Sequence, residues 1–145
     1  RRKPMTTLTL EQANHIISAA MTHAKTSGYA PMGVAVVDSA GQLKAYARQE
    51  GATALRFDIA LGKAAASIGM SCNSRVLAER TKTVPVFLGA IASVSSLPFI
   101  PQTGAVLIKD ATGAILGAAG ASGGTGDEDE AICIAGVLAA GLVHA

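Results

Sequence analysis

The thirteen residues from Ala131 to Val143 are all apolar or glycine. This run is too short to cross a bilayer, yet it constrains the fold more than any other segment. It follows Asp127-Glu128-Asp129-Glu130, charges that suit a helix N-terminus, and reads as one helix from about Asp127 to Val143. A helix that is hydrophobic all round has no face for water and must be covered all round. It is either central within one subunit, or covered on one side by a second subunit. One domain of 145 residues has little material for both sides, so a homo-oligomer is expected.

The remaining pattern supplies a sheet and more helices. Thr9-Leu10-Glu11-Gln12 has the form of a capping box, followed by Ala13, Ile16, Ile17, Ala20 and Ala24 at helical spacing. Gly28 and Pro31 mark its end. Gly33 to Asp38 and Gln42 to Arg48 read as an antiparallel hairpin, the second strand setting Leu43, Ala45 and Ala47 against Lys44 and Tyr46. A second long helix is expected from about Ala54 to Met70, with Phe57, Leu61, Ala64 and Ile68 as its apolar face. Ser74 is expected to cap a short helix through about Arg80. Between 82 and 104, Pro85, Pro98 and Pro101 break any long element. A second hairpin, Ala105 to Lys109 and Ala114 to Ala121, leads through glycine-rich Gly120 to Gly126 into the last helix. This order predicts a single α+β domain with a mainly antiparallel sheet flanked by helices.

Aromatic residues make up only 3% of the chain, which has no Trp and 16 Gly, so small aliphatic side chains must fill the core and backbones must pack closely. The net charge of +2, with no basic stripe among aromatics, argues against a nucleic-acid partner. Cys72 and Cys133 lack metal-ligand spacing and are expected as buried reduced thiols, or as one disulfide if the chain is exported. Arg1-Arg2-Lys3-Pro4 is not followed by the apolar stretch of a secretory signal, and the cytoplasm is the expected location. Residues 1–5 read as an N-terminal extension, with Met5 the natural start and the domain spanning 6–143. No membrane partner is expected.

Gly120 to Gly126 leaves a strand and opens a helix, a place that can cradle an anion. The four carboxylates that follow would repel a phosphate, and neither the P-loop nor the dinucleotide fingerprint is complete. A tight turn beside a pocket, carboxylates meeting a cation or a partner's basic residue, and ordinary helix-start charge all remain open. Arg56 and Lys63, seven apart, share one helix face. They can hold a ligand carboxylate, pair with Asp127 or Glu130, or form the solvated face, which spacing alone favours. If the chain is an enzyme, Asp58, Glu79 and Glu130 are the candidates to move a proton. His15 and His23 lie eight apart and form no metal constellation, while His144 sits in an end expected to fray.

Several strings carry a resemblance. They are Leu8-Thr9-Leu10-Glu11-Gln12-Ala13, Val34-Ala35-Val36-Val37-Asp38 with Gly41, Asp58 to Lys63-Ala64, and Ile115-Leu116-Gly117-Ala118-Ala119-Gly120-Ala121-Ser122-Gly123-Gly124 before the acidic run and Ala135-Gly136. In their order and spacing, from Thr6 to Leu142, they resemble the GlcG/HbpS family, also called DUF336, which includes the C-terminal domain of PduO-type corrinoid adenosyltransferases. The resemblance implies a five-stranded antiparallel sheet between helix layers, assembled into dimers, tetramers or octamers, and haem or another tetrapyrrole as ligand. It implies His15 as axial ligand to the haem iron, with Arg56, Lys63, Ser122, Gly123 and Gly124 shaping the pocket. Where many relatives carry Gly-Gly-x-Pro, this chain has Gly104-Ala105-Val106-Leu107. Two rival readings stand beside haem binding. One is a cofactor-independent isomerase, lyase or hydrolase acting on a small carboxylate or aromatic compound; the other is a structural or regulatory module.

Overall fold

The capping box opens the first element as its residues require. Thr9 Oγ1 accepts from the Gln12 N–H and the Gln12 side chain accepts from the Thr9 N–H, each at 3.0 Å. The computed structural model describes residues 7–145; the expected N-terminal extension with Met5 lies outside the described residues. The chain runs α1 (Leu10–Thr26), β1 (Gly33–Asp38), β2 (Leu43–Arg48), α2 (Leu55–Met70), α3 (Ser74–Thr81) and α4 (Pro85–Val94). Then follow β3 (Ala105–Lys109), β4 (Ile115–Ser122), α5 (Gly126–Ala139) and β5 (Val143–His144). The five strands form one sheet in the order β2-β1-β4-β3-β5, and every neighbouring pair is antiparallel.

Helices α1 and α5 cover one sheet face, packing on Val34, Val36, Val106, Ile108 and Ala119. Helix α2 covers the other over Val37, Leu107 and Ala118, and Leu77 of α3 and Leu88 of α4 pack against Ala66 of α2. This is the expected three-layer α+β domain. Strands β1 and β4 are buried on both faces, which is why they read as nearly continuous apolar runs. The small residues are a requirement of the packing. A Cβ on Gly120 would meet the Ala60 carbonyl oxygen at 2.4 Å, and one on Gly136 the Ile16 carbonyl oxygen at 2.4 Å. Glycine therefore lets α2 lie on β4 and α5 lie on α1.

The structure corrects several local expectations. The expected α2 face meets the sheet in part, with Ala64 buried and Leu61 and Ile68 half-buried over Val37, Leu107 and Ala118. The fully buried face lies toward the small residues and includes Ala60, Lys63 and Ser67. β2 is an edge strand, and of the expected inward set only Ala45 packs on the core. Ala47 is exposed, and Leu43, beyond a bulge opposite Val36 and Val37, is 46% exposed. Asn73, not Ser74, is the N-cap of α3; the Ser74 hydroxyl instead accepts from the Ala105 N–H at 2.9 Å. A ten-residue helix, α4, stands where prolines were expected to prevent one, because Pro85 occupies its first turn, where a missing N–H costs nothing.

Helix α5 stops at Ala139 rather than Val143. Gly141 takes a φ of +76° and turns the chain into β5, which places His144 opposite Ile108 on β3 instead of leaving it frayed. Within the subunit α5 is covered on one side only: Ile132, Cys133, Gly136 and Val137 are buried, while Leu138 is 55% exposed. Both cysteines are free; Cys133 is buried as expected, but Cys72 is only half-buried. Among the described residues, no helix is long and apolar enough to cross a membrane.

Candidate functional site

The sequence-selected residues gather at two places. The first is the end of β4, where the strand passes into α5. Lys63, on the buried face of α2, is only 5% exposed. Its Nζ donates to Asp129 Oδ2 at 2.9 Å and to the Ala121 carbonyl at 3.1 Å. Asp129 Oδ1 accepts from the Gly124 N–H at 2.9 Å, so the pair ties α2, β4 and α5 together. The solvated-face expectation therefore fails for Lys63, and its partner is Asp129 rather than Asp127 or Glu130. Burial pushes the Asp129 carboxyl above its ordinary range, against the opposing pull of the Lys63 ammonium and the Gly124 N–H. Gly104, with a φ of +140°, closes over the pair; a Cβ there would lie 2.7 Å from Lys63 Nζ.

The neighbouring polar groups are committed as well. Arg56 Nη1 donates to Ser122 Oγ at 3.1 Å. Gly123 and Gly124 form the turn, where a Cβ on Gly123 would strike the Pro31 carbonyl oxygen at 2.3 Å. Each carboxylate of the acidic run has a partner in the same chain. Glu128 closes a second capping box with Thr125. Asp127 and Glu130 both take Arg75 of α3, Glu130 at 3.0 Å, which raises the Arg75 guanidinium further above its ordinary range. The run is helix-start charge with specific internal partners, and among the described residues no group of three or more His, Cys, Asp or Glu side chains is placed to hold a metal ion.

The three proton-transfer candidates are not brought together. Asp58 is exposed on α2, Glu79 is paired at 3.1 Å with Lys82 on the surface, and Glu130 is held by Arg75. Sequence reasoning missed Tyr46 of β2, whose buried hydroxyl has no hydrogen-bond partner among the described residues and whose ring meets Phe57 edge-on at 4.8 Å. The alternation set it with Lys44 on the face opposite Leu43, Ala45 and Ala47, and nothing local signalled a buried, unpaired hydroxyl there.

The second place is an open groove of about 430 Å³ between α1 and α5. Along one wall α1 presents His15, Ser18, Thr22 and His23, and Ala19, Ala135 and Ala139 supply small apolar surface. The close approach of α5 to Ile16 through Gly136 fixes the spacing of the two helices. His15 and His23 are both exposed, and neither forms a hydrogen bond among the described residues. Eight residues is a little over two helical turns, so the spacing that ruled out a metal pair still sets both imidazoles in one groove.

The site therefore sits on a three-layer α+β domain, in an open, histidine-bearing groove between α1 and α5. The chain belongs to the HbpS-like family: the family model described as "Haem degrading protein HbpS-like" matches residues 8–138. Among solved structures, an HbpS double mutant from Streptomyces reticuli is similar at 28% identity and a TM-score of 0.81, covering 94% of this chain and 89% of that one. A PduOC–haem complex superimposes with a TM-score of 0.84 at 20% identity, covering 95% of this chain and 98% of that one. The ORFY protein of Klebsiella pneumoniae, a DUF336 member, gives 0.81 at 23% identity, covering 97% and 95%; these last two likenesses speak to the fold alone. No curated protein matches the chain.

Proposed function

We propose that the chain binds haem or a related tetrapyrrole in the α1–α5 groove as a homo-oligomer, with His15 as the axial ligand. One observation carries this reading: His15 stands exposed and without a hydrogen bond in a groove that, apart from His23, is made of small apolar and hydroxyl side chains. The residues fit the group. An imidazole nitrogen ligates iron when its ring is neutral; Ala19, Ala135 and Ala139 accept a flat apolar face, and the hydroxyls of Ser18 and Thr22 can bond propionates. Bound haem would supply an iron centre. His15 would hold the group, and Ser18, Thr22 and the groove alanines would seat it. Membership of a family described as haem-degrading supports the ligand class. The proposed setting is the cytoplasm, where two free thiols stay reduced.

The enzyme reading finds less support, since Lys63 is committed to Asp129 and the proton-transfer candidates stand apart. Titration of the protein with hemin, followed by absorbance, tests the proposal. A saturable Soret shift lost in His15→Ala and kept in His23→Ala is expected. A shift that survives His15→Ala would remove His15 as the ligand, and no saturable shift in the parent protein would overturn the haem reading.

A further inference from the structure

Helix α4 is built unlike the others. From Thr83 to Ile108 the sequence holds no ionisable side chain, and of the ten α4 residues only Leu88 is buried. Val86 is 85% exposed, Phe87 52% and Val94 84%. Those three side chains leave on the order of 400 Å² of apolar surface open, as much as the largest patch of a typical monomer. Stable association uses about 800 Å² per partner, so α4 supplies the apolar core of such a surface, with Val84 continuing it.

A second observation is independent of exposure. A glycine inside a helix costs about 1 kcal/mol relative to alanine, and nearly all the other glycines of this chain have a local reason. Each of the others, apart from Gly69, takes a positive φ or stands where a Cβ would press on a neighbouring atom. Gly89, in mid-helix, has an ordinary φ and nothing within 4 Å of its Cβ position. The monomer gives no reason for it. Close approach of another backbone from outside does.

We propose that the outer face of α4 is a self-association surface, taken by α4 of a second copy of this chain in an antiparallel, two-fold arrangement. The sequence around the crossing point is self-complementary. Val86 and Val94 lie four residues to either side of Ala90, on one helical row. A two-fold axis at Ala90 therefore sets Val86 against the partner's Val94, and Val94 against the partner's Val86. Gly89, Ala90 and Ser93 let the two helices close up, and the lack of charge means that identical faces meet without repulsion. Arg80, whose guanidinium lies 5.9 Å from the Phe87 ring centre, forms the polar rim. This surface deepens the homo-oligomer part of the proposed function and is independent of its haem part.

Sedimentation of the full chain over a concentration series, for the parent and for Gly89→Glu, tests the surface. The space around Gly89 is open in the monomer, so the variant is expected to fold, to self-associate about 100-fold more weakly, and to keep the parent's hemin titration. In a Cys72→Ser background, Ala90→Cys is expected to be joined to its counterpart by a short bismaleimide, and Lys82→Cys is not. This second result reads the two-fold axis even if Gly89→Glu fails to fold. A parent that stays monomeric overturns the proposal, including one that floats with anionic vesicles and so uses α4 on a membrane. A folded Gly89→Glu with the parent's mass, or Ala90→Cys that does not join, overturns it as well.

Discussion

The end of β4 and the α1–α5 groove both hold polar side chains against small apolar surface, but they use them in opposite ways. At the end of β4, Arg56, Lys63, Ser122 and Asp129 bond one another and the backbone, and the Lys63–Asp129 pair is almost sealed from water. In the groove, His15 and His23 face solvent with no hydrogen-bond partner among the described residues, His23 meeting only the edge of the Tyr29 ring. A polar group that the chain has already satisfied has little left for a ligand, whereas an exposed and unpaired one does. The cluster that looks richer in chemistry is thus the structural one, and the plainer groove is the better candidate for binding.

Breaking the buried pair is the strongest test of that contrast. Lys63→Met leaves the Asp129 carboxylate buried without its counter-charge and is expected to lower the unfolding free energy by about 3 to 5 kcal/mol. Denaturant titration measures it. Lys63→Met with Asp129→Asn is expected to recover about half the loss, because the amide oxygen still accepts from the Gly124 N–H. Hemin affinity per folded molecule is expected to stay at the parent value in both. A ligand-binding defect in the folded double variant would move the site from the groove to the end of β4.

Acidity sharpens the same contrast with an external reference. Asp110, in the turn between β3 and β4, accepts from the Thr112 hydroxyl at 2.6 Å and from two backbone N–H groups; the hydroxyl chiefly holds its carboxyl below the ordinary range. Its contribution is present above the unfolded value and is lost as pH falls through the folded one. Asp129 is raised by burial, so between the unfolded value and the raised one the native chain holds more proton than the unfolded chain. Its contribution therefore falls as pH rises through that window. Urea unfolding from neutrality down past about pH 4 is expected to show the parent's advantage over Asp110→Asn shrinking only below the ordinary carboxylate value. Over the same range the parent is expected to gain relative to Asp129→Asn. Equal slopes for the two variants would mean that Asp129 is not desolvated.

Much of the fold was legible because its signals are local. The Thr9–Gln12 box, the β1–β2 and β3–β4 hairpins and the glycine-rich turn are fixed by residues within a few positions of one another. What failed depended on contacts distant in sequence. Nothing near Lys63 shows that Asp129 will meet it, and the small face of α2 is buried only because Gly120 of β4 admits it. Pro85 read as a breaker, yet it opens α4; the difference is position, and no neighbouring signal fixed that position. For the groove, the outward direction of His15 was readable from helical phase, but the meeting of α1 with α5 through Gly136 was not.

The smallest effect concerns Tyr46 of β2, whose hydroxyl is the one buried side-chain polar atom without a hydrogen-bond partner among the described residues. That hydroxyl lies beside Gly33, the residue paired with Ser122 at the end of β4. Tyr46 Oη is buried without a partner, pressed toward Gly33, where a Cβ would lie 2.7 Å from it. Burial raises its ionisation above the ordinary range, which keeps it a neutral phenol. A buried hydroxyl without a bond costs desolvation and returns nothing, while the ring keeps its edge-on contact with Phe57. Tyr46→Phe is therefore expected to leave the unfolding free energy unchanged or to raise it by up to about 1 kcal/mol, with hemin titration unaffected. A loss of similar size would show that the hydroxyl does have a partner, through ordered water or a bound molecule. The end of β4 would then no longer count as closed, and the contrast with the groove would have to be drawn again.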